Sequence, residues 1–487
     1  MDYKAFIQIK KNSLIMVIIM LFFIPESMAQ ESLELGLRAA VDSALSNNPK
    51  IRQYQQVVLQ KKYLDKAAMG NFMPSIDVMG GYTYLSKNPE VNMSQVKGSL
   101  DDVLGKYGAA VAGEIGLTPE MQQIIYNGVV DGLAKLPTYN IEIDQQQYPS
   151  LDVVALQPIF LGGKIIAGKR FSAAELEYAH QDMLQVSNEV VKETIERYYG
   201  VALLRQVVGT RRAVLAGMKR HEQQARRAIE IGVIPPHELL RAQVAVANAE
   251  RDLADDLNRL DLAVLALKTS MGLTQAYSIE IVDSLTYKMV VLNLPGLKTA
   301  SQSYQPIFKM IEQKKIMVDQ QHALDVSEFL PQIAAWGEYG WFREEYPVVM
   351  PPYMIGIQAK MNLFHGLAKV NKLKATHFLK AEVTEAQKYA SDQIDLWVNK
   401  SYLEVLNKED RYLKMKPTLE LAQKNLEINE KRFQEGLSRS IDVIDARLMY
   451  EGIVIERLKS LYDFYIALTD LYYATGNPQE AISLLNN

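Results

Sequence analysis

The chain has 487 residues, with 53 Lys+Arg against 57 Asp+Glu and no Cys. A net charge of −4 gives no electrostatic footprint for nucleic acid, and the missing thiols exclude disulfides and thiolate metal sites. The length alone would suit two or three ordinary domains.

The chain opens on an address. Lys10 and Lys11 precede an apolar run from Leu14 to Ile24 that breaks at Pro25, and Ser27-Met28-Ala29 offers small residues to a signal peptidase. Residues 1–29 are therefore expected to be a signal peptide and Gln30 the first mature residue. Its loss removes three Lys and two acids, leaving 50 basic against 55 acidic side chains, a net −5. The run from Leu14 to Ile24 is too short to span a bilayer as a helix, which takes about 20 residues. Nothing after it approaches that length, so a mature chain that enters a membrane must do so as a closed barrel.

Residues 35–70 carry helical periodicity, interrupted only by Pro49. Ile76, Val78, Tyr82 and Tyr84 then alternate with Asp77, Gly81 and Thr83, the period-2 mark of a strand, expected near 72–85. A loop near 86–148 follows, in which Ser99–Leu136 could form one or two short amphipathic helices with Gly breaks. The next strand, near 150–161, is the least regular. Gly162-Gly163 then opens a stretch of about 70 residues before the next Gly signal, a helix roughly 100 Å long at 1.5 Å per residue. After Gly232 a shorter helix runs to Met271-Gly272, and 273–299 reads as a linker. Residues 300–487 repeat the scheme, with strands near 329–342 and 353–364 and a second long helix in which Pro417 predicts a kink or break. Aromatics at the strand ends (Tyr82, Tyr84, Phe160, Tyr339, Trp341, Tyr353, Phe364) suit the girdle of a lipid-facing barrel.

The two halves are copies. Asn71-Phe72-Met73-Pro74-Ser75-Ile76 echoes Glu328-Phe329-Leu330-Pro331-Gln332-Ile333, and Asn48-Pro49 echoes Gln305-Pro306, both 257 residues apart. Beyond the strands the spacing becomes 204: Phe160 with Phe364, Gly232 with Gly436, Ala242 with Ala446, Gly272 with Gly476. The 53-residue difference is an insertion between the first two strands. The expected fold is thus mixed α and β, an internal duplication of 30–272 and 300–487. It combines a long α-helical coiled-coil barrel with four membrane strands per chain. Four strands cannot close a barrel, so copies must share one: a trimer with twelve strands is preferred, while the residues alone also allow a dimer with eight.

The opening Ala39-Ala40-Val41-Asp42-Ser43-Ala44-Leu45-Ser46-Asn47-Asn48-Pro49, the Phe72-Met73-Pro74 and Gly162-Gly163-Lys164 motifs, and Phe433-Gln434-Glu435-Gly436 through Ile441-Asp442-Val443-Ile444-Asp445-Ala446-Arg447 resemble the TolC-like outer membrane efflux protein (outer membrane factor) family. Ile229-Glu230-Ile231-Gly232 with Glu238 through Gln243 is a weaker twin of the last motif. The resemblance covers the whole mature chain. It implies a homotrimer with a twelve-strand barrel and a periplasmic helical barrel, in the outer membrane and reaching into the periplasm. The implied partners are a periplasmic membrane-fusion adaptor and an inner-membrane transporter.

Gly232 and Gly436 are expected at the periplasmic tips, where the adaptor would dock. Asp442 and Asp445 lie three apart beyond Gly436 with Arg439 one turn before, and Glu238 holds the place equivalent to Asp442. By resemblance, Asp442 and Asp445 match an acidic ring that narrows the periplasmic aperture. The alternative is a solvated helix face neutralised by Arg439 and Arg241. Here the basic residue sits three positions after the Gly, where some members have it two after, so a charge-pair lock does not carry over directly. Pro235-Pro236 stiffens the first tip or simply starts the next helix.

No enzyme signature is present: the six His show no HExxH spacing, Gly162-Gly163-Lys164 lacks a phosphate loop's upstream Gly, and no catalytic, cofactor or metal residues are assigned. The sequence reads as a passive export duct of a tripartite efflux or type I secretion system. A barrel-anchored structural or adhesive coiled-coil protein is the rival.

Overall fold

The computed structural model describes residues 32–136, 140–273, 278–342 and 350–486; the expected leader 1–29 lies outside them. The described residues form eight strands and eleven helices in two compact units.

One unit comprises Met1–Asp65, Arg170–Asp319 and Thr376–Asn487. Strand β1 (Ser32–Leu35) leads into α1 (Leu37–Asn47) and α2 (Pro49–Gly70). Thus 35–70 is two helices, not one, because Asn48 is held extended before Pro49. The long helix α5 (Lys164–Glu230) and α6 (Pro236–Ser270) follow, and Pro235 with Pro236 forms the helix start. The stretch 273–299 is more than a linker: β6 (Ser278–Ile281) pairs in parallel with β1, and α7 (Leu294–Tyr304) begins inside it. Four residues are too short for a periodicity, so neither strand was legible beforehand. After α8 (Pro306–Ser327), α9 (Ala368–Gln434), α10 (Ser440–Ala474) and α11 (Gln479–Asn486) complete the helices.

The helices repeat in length: α5 and α9 both have 67 residues and α6 and α10 both have 35. Their starts are 204 apart in each case (164 and 368, 236 and 440). Pro417 does not interrupt α9. Pro417 and Leu413, whose carbonyl loses its partner, are both exposed, so water takes the freed carbonyl, and buried Tyr412, Ala422 and Leu426 anchor the turns on either side.

Four helix ends close on left-handed glycines at 232, 272, 436 and 476. In each, the glycine N–H bonds three residues back and the next N–H five back, for example Gly232 to Ile229 (2.9 Å) and Val233 to Ala228 (2.8 Å). The α6 and α10 ends are capped alike from outside. Asn48 donates its side-chain amide to the Ser270 carbonyl (2.7 Å), and Gln305, 257 residues on, donates to the Ala474 carbonyl (2.8 Å). The core around them buries Tyr198, Tyr199, Leu267, Phe464, Tyr465, Leu468 and Leu471, with Tyr199 and Tyr465 edge-to-face at 4.5 Å. Asp283, just past β6, accepts from the Leu37 N–H (3.1 Å) and thereby caps α1.

The other unit, Lys66–Lys169 with Gln320–Ala375, is a four-stranded antiparallel sheet ordered β2 (Ser75–Tyr84), β5 (Gln147–Leu161), β7 (Gln332–Gly340), β8 (Tyr353–Lys360). The irregularity expected in β5 is a bulge between Pro158 and Phe160, where a central strand cannot donate from proline. Strand β8 stops at Lys360 rather than 364, opposite Gln332, the first residue after Pro331. Between β2 and β5 stand a ribbon of β3 (Glu90–Asn92) with β4 (Asn140–Glu142) and a helical pair, α3 (Met93–Glu114) and α4 (Pro119–Ala134), broken at Gly116.

Candidate functional site

The two helix tips meet: a Cβ on Gly436 would lie 3.4 Å from Val233 Cγ1. From there the first residues of α10 are tied to both α5 and α6. The Ser440 N–H donates to Glu238 Oε2 (3.2 Å), and the Ser440 hydroxyl lies 2.6 Å from His221 Nε2. Glu238, Ser440 and His221 are all buried, and the His221 ring lies tilted against Phe433 of α9 with centroids 4.5 Å apart. Burial, with the Arg447 guanidinium adding to it, pushes His221 down to about 4, so the ring is neutral at ordinary pH. Its Nδ1 and the Arg447 Nε are buried without a hydrogen-bond partner among the described residues.

Two turns further along α10, Arg447 pairs with Glu430 of α9 and lies over Gly217, where a Cβ would collide with the guanidinium. Another turn on, Glu451 meets Arg211 Nη1 at 2.6 Å, while Arg211 Nε reaches Asp256 at 2.8 Å. Asp256 also takes Arg259 at 2.9 Å. Burial raises the Glu451 carboxyl above its ordinary value even though Arg211 lowers it. Ser440, Ile444, Arg447 and Glu451 follow heptad-like spacing along α10, so three polar side chains occupy places where a coiled-coil seam takes apolar ones.

The residues expected at the gate separate into different environments. Glu238 is buried, with His237 Nε2 at 3.3 Å and Arg241 Nη1 at 3.7 Å from its Oε1. Asp442 caps its own helix: the Arg439 N–H (2.9 Å) and guanidinium (3.2 Å) sit on its two oxygens and hold the carboxyl below its usual range, the backbone bond contributing most. Asp445 is exposed and makes no hydrogen bond or ion pair among the described residues. It borders a groove of about 520 Å³ between α6 and α10, floored by Leu240, Val244, Ile444 and Leu448 and edged by Arg241. Sequence reasoning missed the His221, Arg211 and Arg447 contacts; the polar residues on the α10 heptad were the available signal.

In the sheet-bearing unit, pairing puts apolar side chains on one face of every strand. The face carries Ile76, Val78, Tyr82 and Tyr84 on β2, then Leu151, Val153 and Ala155 on β5. It continues through Ile333, Ala335 and Tyr339 to Tyr353, Ile355, Ile357 and Ala359 on β8. The opposite face carries Asp77, Asp152, Glu338, Gln358 and Lys360. Ile355 is 83% exposed and Ile76 69%, part of a contiguous exposed apolar face of the kind that marks a membrane or protein contact. The aromatics gather at the two ends: Tyr84, Tyr339, Trp341 and Tyr353 at one, Phe160 at the other, with Tyr339 and Trp341 edge-to-face at 4.9 Å. Among the described residues, both outer strands, β2 and β8, leave one edge unpaired. No described helix is long and apolar enough to cross a membrane.

The outer membrane efflux protein family matches residues 135–273, which hold β5, α5 and α6. Over that stretch the chain resembles the TolC-like outer membrane efflux proteins. The fold of the family's channels extends over nearly all of the chain. The Campylobacter jejuni CmeC outer membrane channel has a TM-score of 0.69 at 12% identity, covering 92% of this chain and 89% of that one. For CusC the values are 0.69 and 12%, covering 94% and 96%. For the open-state MtrE outer membrane channel of Neisseria gonorrhoeae they are 0.67 and 12%, covering 91% and 89%. No curated protein matches the sequence.

Proposed function

We propose that the chain is one subunit of a homotrimeric outer-membrane export duct, a passive conduit that an inner-membrane transporter feeds through a periplasmic adaptor. The observation that carries this is the sheet: a largely apolar face backed by one that carries Asp77, Asp152, Glu338 and Lys360, with two edges unpaired among the described residues. Open edges cannot rest in lipid, so the edges must meet those of other copies, and three copies supply twelve strands. The equal helix lengths and constant 204-residue offset support the reading of a duplicated chain. Resemblance to outer membrane efflux proteins supports residence in the outer membrane with the long helices in the periplasm. In this reading Gly232 and Gly436 form the adaptor-facing tips. Asp445 presents charge at the periplasmic aperture, and Asp442 lies behind it, partly spent on Arg439. Nothing in the proposed role requires chemistry from a side chain. Against the rival, a barrel-anchored adhesive rod, stands the repeat, because a duplicated helix–strand–helix unit builds a closed tube.

Single-channel conductance in a planar bilayer tests the proposal. Cation-selective conductance, blocked by multivalent cations from the tip side and relieved by Asp442→Ala/Asp445→Ala, is expected. No conductance from a folded, trimeric sample would return the protein to the structural reading.

A further inference from the structure

The inserted helical pair α3–α4 has more apolar surface than its own packing uses. The two helices touch through small residues: a Cβ on Gly105 would come within 2.7 Å of Val130 and one on Gly108 within 3.4 Å of Val129, and Ala112 is buried. That leaves a second stripe on α3, at helical spacing and outside this contact: Leu100, Val103, Leu104, Tyr107, Val111 and, just past the helix end, Ile115. Tyr107 is 69% exposed and Ile115 72%. On α4 the exposed Met121 and Ile124 run on into Gly128 and Gly132, where an added Cβ would meet nothing within 4 Å.

We propose that this face is covered by the same hairpin of neighbouring copies, so that three hairpins close over the outer mouth of the barrel. The proposal rests on the trimeric reading above. Three features select a second copy as the occupant. The hairpin is rooted on β2, whose free edge is where another copy must pair. Helices that settle on anionic bilayers carry Lys and Arg on their polar face, whereas α3 and α4 hold two Lys against five acids. Reach also suffices: α3 is roughly 33 Å long by helical rise, and a twelve-strand barrel is roughly 25 Å across from strand spacing and tilt. The open Gly128 and Gly132 steps allow a partner helix to approach closely.

The test uses the full chain in native outer membranes, with a photo-crosslinking phenylalanine analogue replacing Tyr107 in one variant and Asn127 in another. Asn127 is exposed on α4 away from the stripe, and both sites tolerate a ring. The expected result is chain-to-chain adducts from position 107 that are absent from 127, and loss of those adducts when Val103→Ser and Val111→Ser are added. Adducts with lipid or with an unrelated protein at 107, or none in a sample that migrates as a trimer, overturn the hairpin contact while leaving the duct intact. A monomeric sample overturns the trimeric reading and this one with it.

Discussion

Replacing Arg211 by Met tests the polar seam that ties α10 to α5 and α6. Arg211 is the only partner of the Glu451 carboxylate among the described residues, at 2.6 Å, and Glu451 is 3% exposed. Asp256 keeps Arg259 after the substitution, so the uncompensated charge falls on Glu451 alone. Removing one member of a buried pair costs about 3–5 kcal/mol, and the partly exposed Arg211 side chain puts this case near 3. A loss of ~3 kcal/mol raises local opening about 100-fold. Hydrogen exchange along Val443–Glu456 of α10 should therefore accelerate by roughly that factor in Arg211→Met. Adding Glu451→Gln removes the stranded charge and should recover about 2 kcal/mol of the loss, a coupling typical of touching residues. The pH dependence has a definite sign. Burial already raises the Glu451 carboxyl, so its contribution is fully present below the ordinary carboxylate value and is lost as pH rises through the raised one. Without Arg211 the rise is larger, and acidification should slow the corrected exchange in the variant more than in the parent. Equal exchange in the single and double variants would falsify the assignment of Arg211 as the charge that stabilises Glu451.

Two further outcomes are expected. His221 is held at about 4, below its ordinary 6.5, so its stabilising contribution is complete above pH 6.5 and is lost as pH falls toward 4. The full loss is about 3 kcal/mol. Hydrogen exchange near the second tip, corrected for its intrinsic pH dependence, should rise over this window and lose that response in His221→Gln; an unchanged acid response would remove His221 from the seam. Gly476→Ala combines a left-handed backbone with a Cβ 2.6 Å from the Tyr304 carbonyl, whereas Gly232→Ala meets open space. Denaturant unfolding should show a loss of about 2–3 kcal/mol for the first and about 1 for the second; equal losses would show that the helix-end contact at Gly476 is slack.

Long-period features were legible in the sequence because they repeat. Two copies of each glycine end and of the Asn48-Pro49 and Gln305-Pro306 breaks marked helix boundaries that one copy could not have marked. The strand alternation of Ile355, Ile357 and Ala359 likewise showed the apolar face, since a single-sided sheet has period two. What stayed hidden lacks a local pattern. Strands β1 and β6 are four residues each and exist through pairing across 246 positions. The α9 helix passes Pro417 because exposure satisfies what periodicity counts as a break. Among the candidate gate residues, spacing put Asp442 and Asp445 on one face but could not tell that a capping bond engages the first and not the second. Glu238 looked like a third acid of the same set, yet its carboxylate is taken up by the Ser440 N–H.

The unequal tips bear on where such a duct could move. At the Gly272 and Gly476 ends the two copies are held alike, each by a side-chain amide on the final carbonyls and by a glycine packed against the chain. At the Gly232 and Gly436 ends they differ. The first turns through Pro235-Pro236, whose fixed φ leaves little to unwind. The second relies on polar contacts to α5 and α6 at Ser440 and Glu451, and on Arg447 against Glu430 and over Gly217. Packed apolar seams resist sliding through many small contacts, but a seam of a few hydrogen bonds has discrete alternatives in water. In the proposed duct, a rearrangement that widens the tip end is therefore expected to separate α10 from α5 and α6 at Ser440, Arg447 and Glu451, with the caps at Asn48 and Gln305 unbroken.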